Sequence, residues 1–106
     1  MSILIGDIGN SVTKICLVDD KTLRIIKITN FFSKSILNKK VLIKEIEKLI
    51  KNKKVNNFSL FSSVVPKYYS KLEKLFKERF KVKLKEIKDK KIKKIVKIKI
   101  KNKSQV

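Results

Sequence analysis

The spacing of hydrophobic positions changes twice along this chain, and the changes mark out its elements. Residues 2–8, SILIGDI, are a short apolar run ending in a glycine-containing turn, which predicts a buried strand. In SVTKICLVDD, apolar side chains recur at Val12, Ile15 and Leu17 around Thr13 and Lys14, predicting a second strand. Asp19-Asp20-Lys21 has the chemistry of a hairpin turn. TLRIIKITNFF, Thr22 to Phe32, is rich in β-branched residues and predicts a third strand. Three strands joined by tight turns predict an antiparallel meander.

The period then lengthens. NKKVLIKEIEKLIKN places Val41, Leu42, Ile46, Leu49 and Ile50 at helical spacing, with Asn38 as N-cap and Glu45 facing Lys48 or Leu49 one turn on. VNNFSLFSSVV, Val55 to Val65, returns to strand character, and Pro66 suits the first turn of the next helix. KYYSKLEKLFKERF puts Tyr69, Leu72, Leu75, Phe76 and Phe80 along one face and lysines on the other. Tyr68 and Tyr69 read there as packing and boundary residues. KVKLKEI alternates strictly and predicts a strand; KDKKIKKIVKIKIKNKSQV alternates near its end, at Ile98 and Ile100, and suits either an edge strand or a frayed tail. The order is β-β-β-α-β-α-β, with a last strand left open. That is an α/β domain with a sheet of about five strands, without internal repeat or linker.

Composition narrows the chemistry. The 106 residues suffice for one small domain. No apolar run reaches the ~18 residues of a membrane span, and MSILIGDIGN lacks a basic leader and a cleavage site, so neither a membrane partner nor a signal peptide is expected. The single cysteine, Cys16, fits a cytoplasmic location and a buried position on a strand. With no histidine and one cysteine, zinc sites and Ser-His-Asp or Cys-His catalysis are excluded within these residues. The net charge of +20 invites a nucleic-acid reading. Of the 29 basic residues, however, only Arg24 and Arg79 are arginine, the residue suited to bidentate phosphate and base contacts. Alanine is absent, while Ile, Lys and Asn, whose codons are A/T-rich, abound. Base composition therefore accounts for much of the lysine, and the charge favours anionic substrates by its field alone.

Both glycines fall within one stretch, ILIGDIGNSVTK, Ile3 to Lys14. With Gly6 to Ser11 placed at the turn between the first two strands, Gly9 is expected to adopt positive φ and to let backbone approach a ligand. Successive N–H groups there form an anion cradle, with Asn10, Ser11 and Thr13 as short donors. Asp7 at a strand end is suited to hold a divalent ion and, through it, phosphate oxygens. Lys14 offers a point charge. The same residues also make an ordinary turn, and neither a Walker A loop nor a dinucleotide fingerprint is present.

DIGNSVTK, Asp7 to Lys14, resembles the D-x-G-N-[ST] ATP-phosphate hairpin of the acetate and sugar kinase/Hsp70/actin superfamily, and more narrowly the opening of type III pantothenate kinases. SSVVP, Ser62 to Pro66, resembles a second segment of that family, at the end of the strand between two helices. LRIIKITN and the tail IKIKNKSQV are weaker matches, the latter resembling the segment before the family's Gly-Ala-Asp-Arg motif. The resemblance implies a ribonuclease H-like lobe with a mixed sheet, and transfer of the ATP γ-phosphate to pantothenate, the first step of coenzyme A synthesis. It implies that Asp7, Ile8, Gly9, Asn10, Ser11, Val12, Thr13 and Lys14 line the ATP phosphates, with Asp7 on a divalent cation such as Mg. It further implies a monovalent cation, potassium or ammonium, and a homodimer. The sequence runs only to where Gly-Ala-Asp-Arg, with its catalytic Asp and pantothenate-binding Arg, is expected to begin, and Ile100 stands where the family often has a Tyr. The 106 residues are accordingly expected to be an N-terminal lobe that is inactive by itself. Asp19, Asp20 and Asp89 read as exposed turn residues, not substitutes for the base. Rival readings are a small basic nucleic-acid-binding module, an inactive relic of the lobe, or a superfamily member with another substrate.

Overall fold

The apolar run at the start of the chain becomes the middle strand of a sheet that has five strands among the described residues. The structure, a computed structural model, describes residues 1–88. Strands β1 (Ser2–Ile8), β2 (Val12–Asp19) and β3 (Ile25–Phe32) form the expected antiparallel meander. A 3-10 segment, Ser33–Leu37, leads into helix α1 (Lys39–Ile50), then β4 (Val55–Ser63), helix α2 (Pro66–Leu75), a π-helical turn Phe76–Phe80, and β5 (Lys83–Glu86). The strand order is β3-β2-β1-β4-β5, with β4 parallel to β1 and β5 parallel to β4. Each parallel step needs a crossover long enough to return the chain, and α1 and α2 supply them. This is the mixed α/β sheet of the ribonuclease H-like lobe expected above.

Both helices cover one face. Leu42, Ile46 and Leu49 of α1 and Leu72 and Leu75 of α2 bury their apolar stripes against Leu4, Ile8, Ile15, Leu17 and Phe61 of the sheet. Asn38 caps α1, its Oδ1 accepting from the Val41 N–H at 3.3 Å. Glu45 reaches β3, where it accepts the Thr29 hydroxyl at 2.8 Å. The opposite face carries a smaller cluster centred on Ile3, Cys16 and Val18. Strand β2 is therefore buried on both sides. Thr13, Ile15 and Leu17 lie on the helix side, and Val12 is exposed beside the turn. Burial pushes the Cys16 thiol up to about 11, with Lys14 opposing weakly, so it is a neutral core group.

Boundaries differ where side chains redirect the backbone. The second hairpin is wider than Asp19-Asp20-Lys21. The Asp19 carboxylate accepts the N–H groups of Lys21 and Thr22 at 2.8 and 3.0 Å, and Leu23 takes φ 61°, so β3 starts at Ile25 rather than Thr22. The helix expected through Phe80 ends its α-helical part at Leu75. Lys81, in the left-handed region at φ 58°, lets the Val82 N–H reach the Phe76 carbonyl and turns the chain into β5. β4 stops at Ser63, two residues short of Val65, because the Ser63 hydroxyl bonds both the N–H and the carbonyl of Val65 ahead of α2. The readings made for Asp89, Ile98, Ile100 and the remaining tail lie outside the described residues.

Candidate functional site

Parallel pairing brings the carboxyl ends of β1 and β4 side by side, with Asp7 opposite Ser62 and Ile8 opposite Ser63. The two motifs singled out in the sequence thus meet. The Ser62 hydroxyl donates to Asp7 Oδ1 at 2.7 Å, and the Val64 N–H donates to the Ile8 carbonyl at 3.2 Å. On the other side, Lys14 is the cross-strand partner of Asp7. Alternation along β1 puts Leu4 and Ile8 under the helices and Ile3 on the other face. Asp7, in phase with Ile3, lies with Lys14 and Ser62 on the face that neither α1 nor α2 covers.

The turn itself is short. The Gly9 N–H donates to the Val12 carbonyl at 3.1 Å, leaving Asn10 and Ser11 at the tip, both exposed. Gly6 is inside β1 rather than in the turn. The expected positive φ at Gly9 is not found; no described glycine has one. Both glycines are required by space instead. A Cβ on Gly9 would stand 2.7 Å from the Val12 carbonyl oxygen, and a Cβ on Gly6 would stand 2.2 Å from the Phe61 ring. Gly9 therefore makes room for its own hairpin.

Beneath the turn, on the helix side, sits Ser33. Its hydroxyl donates to the Gly9 carbonyl at 2.7 Å, and its N–H donates to the Ser11 carbonyl at 2.8 Å. Its oxygen also lies 2.8 Å from Thr13 Oγ1. A serine hydroxyl has one proton, and Gly9 takes it, so Thr13 is the donor in that contact. Thr13 and Ser33 are both fully buried. Thr13, expected as a donor to the ligand, is thus turned inward as an anchor. Of the other predicted residues, Asn10, Ser11 and Val12 are exposed around the tip, Asp7, Gly9 and Lys14 are half-buried, and Ile8 is core. Sequence reasoning missed Ser33 altogether and had Ser62 only through a motif. A lone serine after an aromatic pair carries no local signal beyond a helix start.

The remaining acidic candidates are elsewhere. Asp19 pairs with Ser2 at the far end of β1, and backbone N–H groups of Thr22 and Lys21 hold its carboxyl below its ordinary value. Asp20 is 3.7 Å from the Met1 amino group and accepts from the Asn56 amide at 3.1 Å. Tyr68 and Tyr69 pack against the core as expected, and burial, then Glu73 and Glu86, push the Tyr69 phenol up. An open groove of about 1030 Å³, lined by Glu73, Lys74, Lys77 and Lys83 among others, contains none of the predicted site residues.

The donor set suits a divalent ion that arrives with phosphate. Asp7 accepts one hydrogen bond from Ser62 at Oδ1, and a carboxylate has acceptor capacity for more. Among the described residues no group of three or more Asp, Glu, Cys or His could hold a metal alone. Mg bound by one or two carboxylates, with water and phosphate oxygens completing the shell, fits one Asp beside an exposed turn. Among the described residues no helix is long and apolar enough to cross a membrane.

The sequence profile of the type III pantothenate kinase family matches residues 3–106. A type III pantothenate kinase of Pelagibacter ubique (strain HTCC1062) is 42% identical over 101 residues, covering 92% of this chain and 39% of that protein. The chain thus spans well under half the length of this relative. Among solved structures, an Aquifex aeolicus member of the Ppx/GppA family superposes with a TM-score of 0.49 at 15% identity, over 82% of this chain and 35% of that one. A second structure of an Aquifex aeolicus PPX-GPPA enzyme gives 0.43 at 14% identity, over 82% and 36%. At these levels neither structural likeness bears on function.

Proposed function

The chain belongs to the type III pantothenate kinase family, and we propose that it contributes the ATP-phosphate turn to ATP-dependent phosphorylation of pantothenate, the first step of coenzyme A synthesis. The observation that carries this reading is the meeting of Asp7 and Ser62 below the turn after Gly9, whose tip, Asn10-Ser11, is exposed. Backbone N–H groups and short polar side chains at the tip bind the triphosphate, and Lys14 adds positive charge beside Asp7. Asp7, oriented by Ser62, holds the Mg ion that accompanies the nucleotide. When bound, that ion neutralises charge on the phosphate oxygens. The protein's own part is positioning and electrostatics, as in phosphoryl transfer generally.

The acceptor hydroxyl also needs a base. Asp19 and Asp20 are occupied at the opposite end of β1, and no Gly-Ala-Asp-Arg occurs in these 106 residues. On this reading these residues bind nucleotide, and the activity they serve is that of a homodimeric cytoplasmic kinase using potassium or ammonium.

Calorimetric titration with ATP, with and without Mg, tests the reading. The unaltered chain is expected to bind Mg-ATP, and Asp7→Asn to weaken Mg-ATP roughly tenfold while changing Mg-free ATP much less. Absence of ATP binding, or equal loss with and without Mg, refutes it.

A further inference from the structure

We infer that Ser33 is the positioning residue that sets the direction of the turn's amide groups towards a bound polyphosphate, an inference that rests on the phosphate reading above. A trans peptide holds its C=O and its N–H on opposite sides of one plane. The Gly9 carbonyl is drawn to the Ser33 hydroxyl at 2.7 Å. The N–H of the same peptide, that of Asn10, therefore points away from Ser33. The Ser11 carbonyl is drawn to the Ser33 N–H at 2.8 Å. The N–H of that peptide, that of Val12, likewise points away. One buried residue thus orients two peptide planes of the turn, and each sends its donor away from the Ser33 group that holds its carbonyl.

The anchor is rigid for a stated reason. Ser33 starts the 3-10 segment and is fully buried, and Thr13 donates to its oxygen at 2.8 Å. That contact leaves the Ser33 proton no better acceptor than Gly9. Chains of hydrogen bonds of this kind reinforce one another in a low-dielectric interior. The relay Thr13 to Ser33 to Gly9 ties β2, the segment after β3 and the turn into one unit, so the amides need not be ordered when the anion binds. Donors preorganised in this way bind an anion with less ordering cost. Ser33 touches neither substrate nor metal and acts through Gly9 and Ser11.

The experiment compares the unaltered chain with Ser33→Ala and Ser33→Thr, each titrated with inorganic tripolyphosphate and with ATP, and follows backbone amides by 15N NMR. Ser33→Ala is expected to lower tripolyphosphate affinity about tenfold and to raise the mobility of residues 9–12. It should also abolish the large amide shifts of Asn10 and Val12 on titration while those of distant helices stay in place. Ser33→Thr, which keeps the hydroxyl, is expected to restore much of the affinity and of these shifts. Full tripolyphosphate affinity in Ser33→Ala, with Asn10 and Val12 responding as before, overturns the Ser33 assignment and leaves the phosphate site standing. No binding of either anion by the unaltered chain overturns the phosphate reading, and this inference with it.

Discussion

Replacing Gly6 by alanine tests whether the register of β1 on β4 is set by one ring. Gly6 lies directly opposite Phe61 in that pair. The Phe61 ring is fully buried and meets Phe76 edge-on, with centroids 5.7 Å apart and planes at 87°. A methyl group at residue 6 would fall 2.2, 2.6 and 2.9 Å from three ring carbons. The backbone there is compatible with alanine, since Gly6 has no positive φ. Alanine should gain ~0.4–1 kcal/mol through the unfolded chain. Against this stands an overpacked core, which costs ~1–3 kcal/mol and reaches the upper end when the neighbour cannot move. Phe61 cannot swing aside without losing its contact with Phe76. The net loss is about 2 kcal/mol, or roughly 8–16 °C in Tm for a domain of this size.

Urea and thermal unfolding of Gly6→Ala, Phe61→Leu and the double variant separate this cause from a general weakening of the strand. Phe61→Leu alone should cost roughly 2 kcal/mol in lost aromatic burial. The double variant should be more stable than the two losses added together, by about 1–2 kcal/mol, because the smaller side chain vacates the space the methyl needs. Strict additivity, or a Gly6→Ala chain as stable as the unaltered one, would refute the steric argument. Because Asp7 and Ser62 are the next pair along, Gly6→Ala should also weaken Mg-ATP binding, and Phe61→Leu should partly restore it.

Two further predictions concern single groups. Cys16 is fully buried with its thiol pushed up to about 11, so at pH 8 it should resist iodoacetamide in the folded chain and react promptly in urea; rapid native labelling counts against the two-sided burial of β2. The same shift makes stability fall with rising pH, beginning near the ordinary thiol value of 9.0 and continuing to about 11, because the unfolded chain loses this proton first. Lys81→Gly should raise stability by ~0.5–1 kcal/mol in urea unfolding, since Lys81 holds a left-handed conformation at φ 58° that glycine adopts without strain; a loss would show that its side chain contributes more than its backbone.

The hydrophobic period by itself determined the order of strands and helices and the inward stripes of α1 and α2, and residue type marked Asn38 as the cap and Cys16 as buried. These follow from residues a few positions apart, where the backbone geometry of helix and strand dictates which side chains share a face. The meander was legible for the same reason, since short turns leave consecutive strands little choice but to pair. The motif residues Asp7 to Lys14 were legible as unusual chemistry in an otherwise repetitive alphabet. What the sequence could not show is anything set by contact across a long separation. The order β3-β2-β1-β4-β5 was decided by helical crossovers packing on one face. Gly9 seemed to call for a special φ value, yet it yields to the carbonyl that closes its own hairpin, while Gly6 makes room for a ring 55 residues away in sequence. Thr13 looked like a ligand donor until the Ser33 hydroxyl oxygen, 20 residues on, accepted its hydrogen bond. Asp7 acquired its orienting partner, Ser62, only when β4 aligned beside β1. Periodicity reports which way a side chain faces; only the folded chain decides what it meets there.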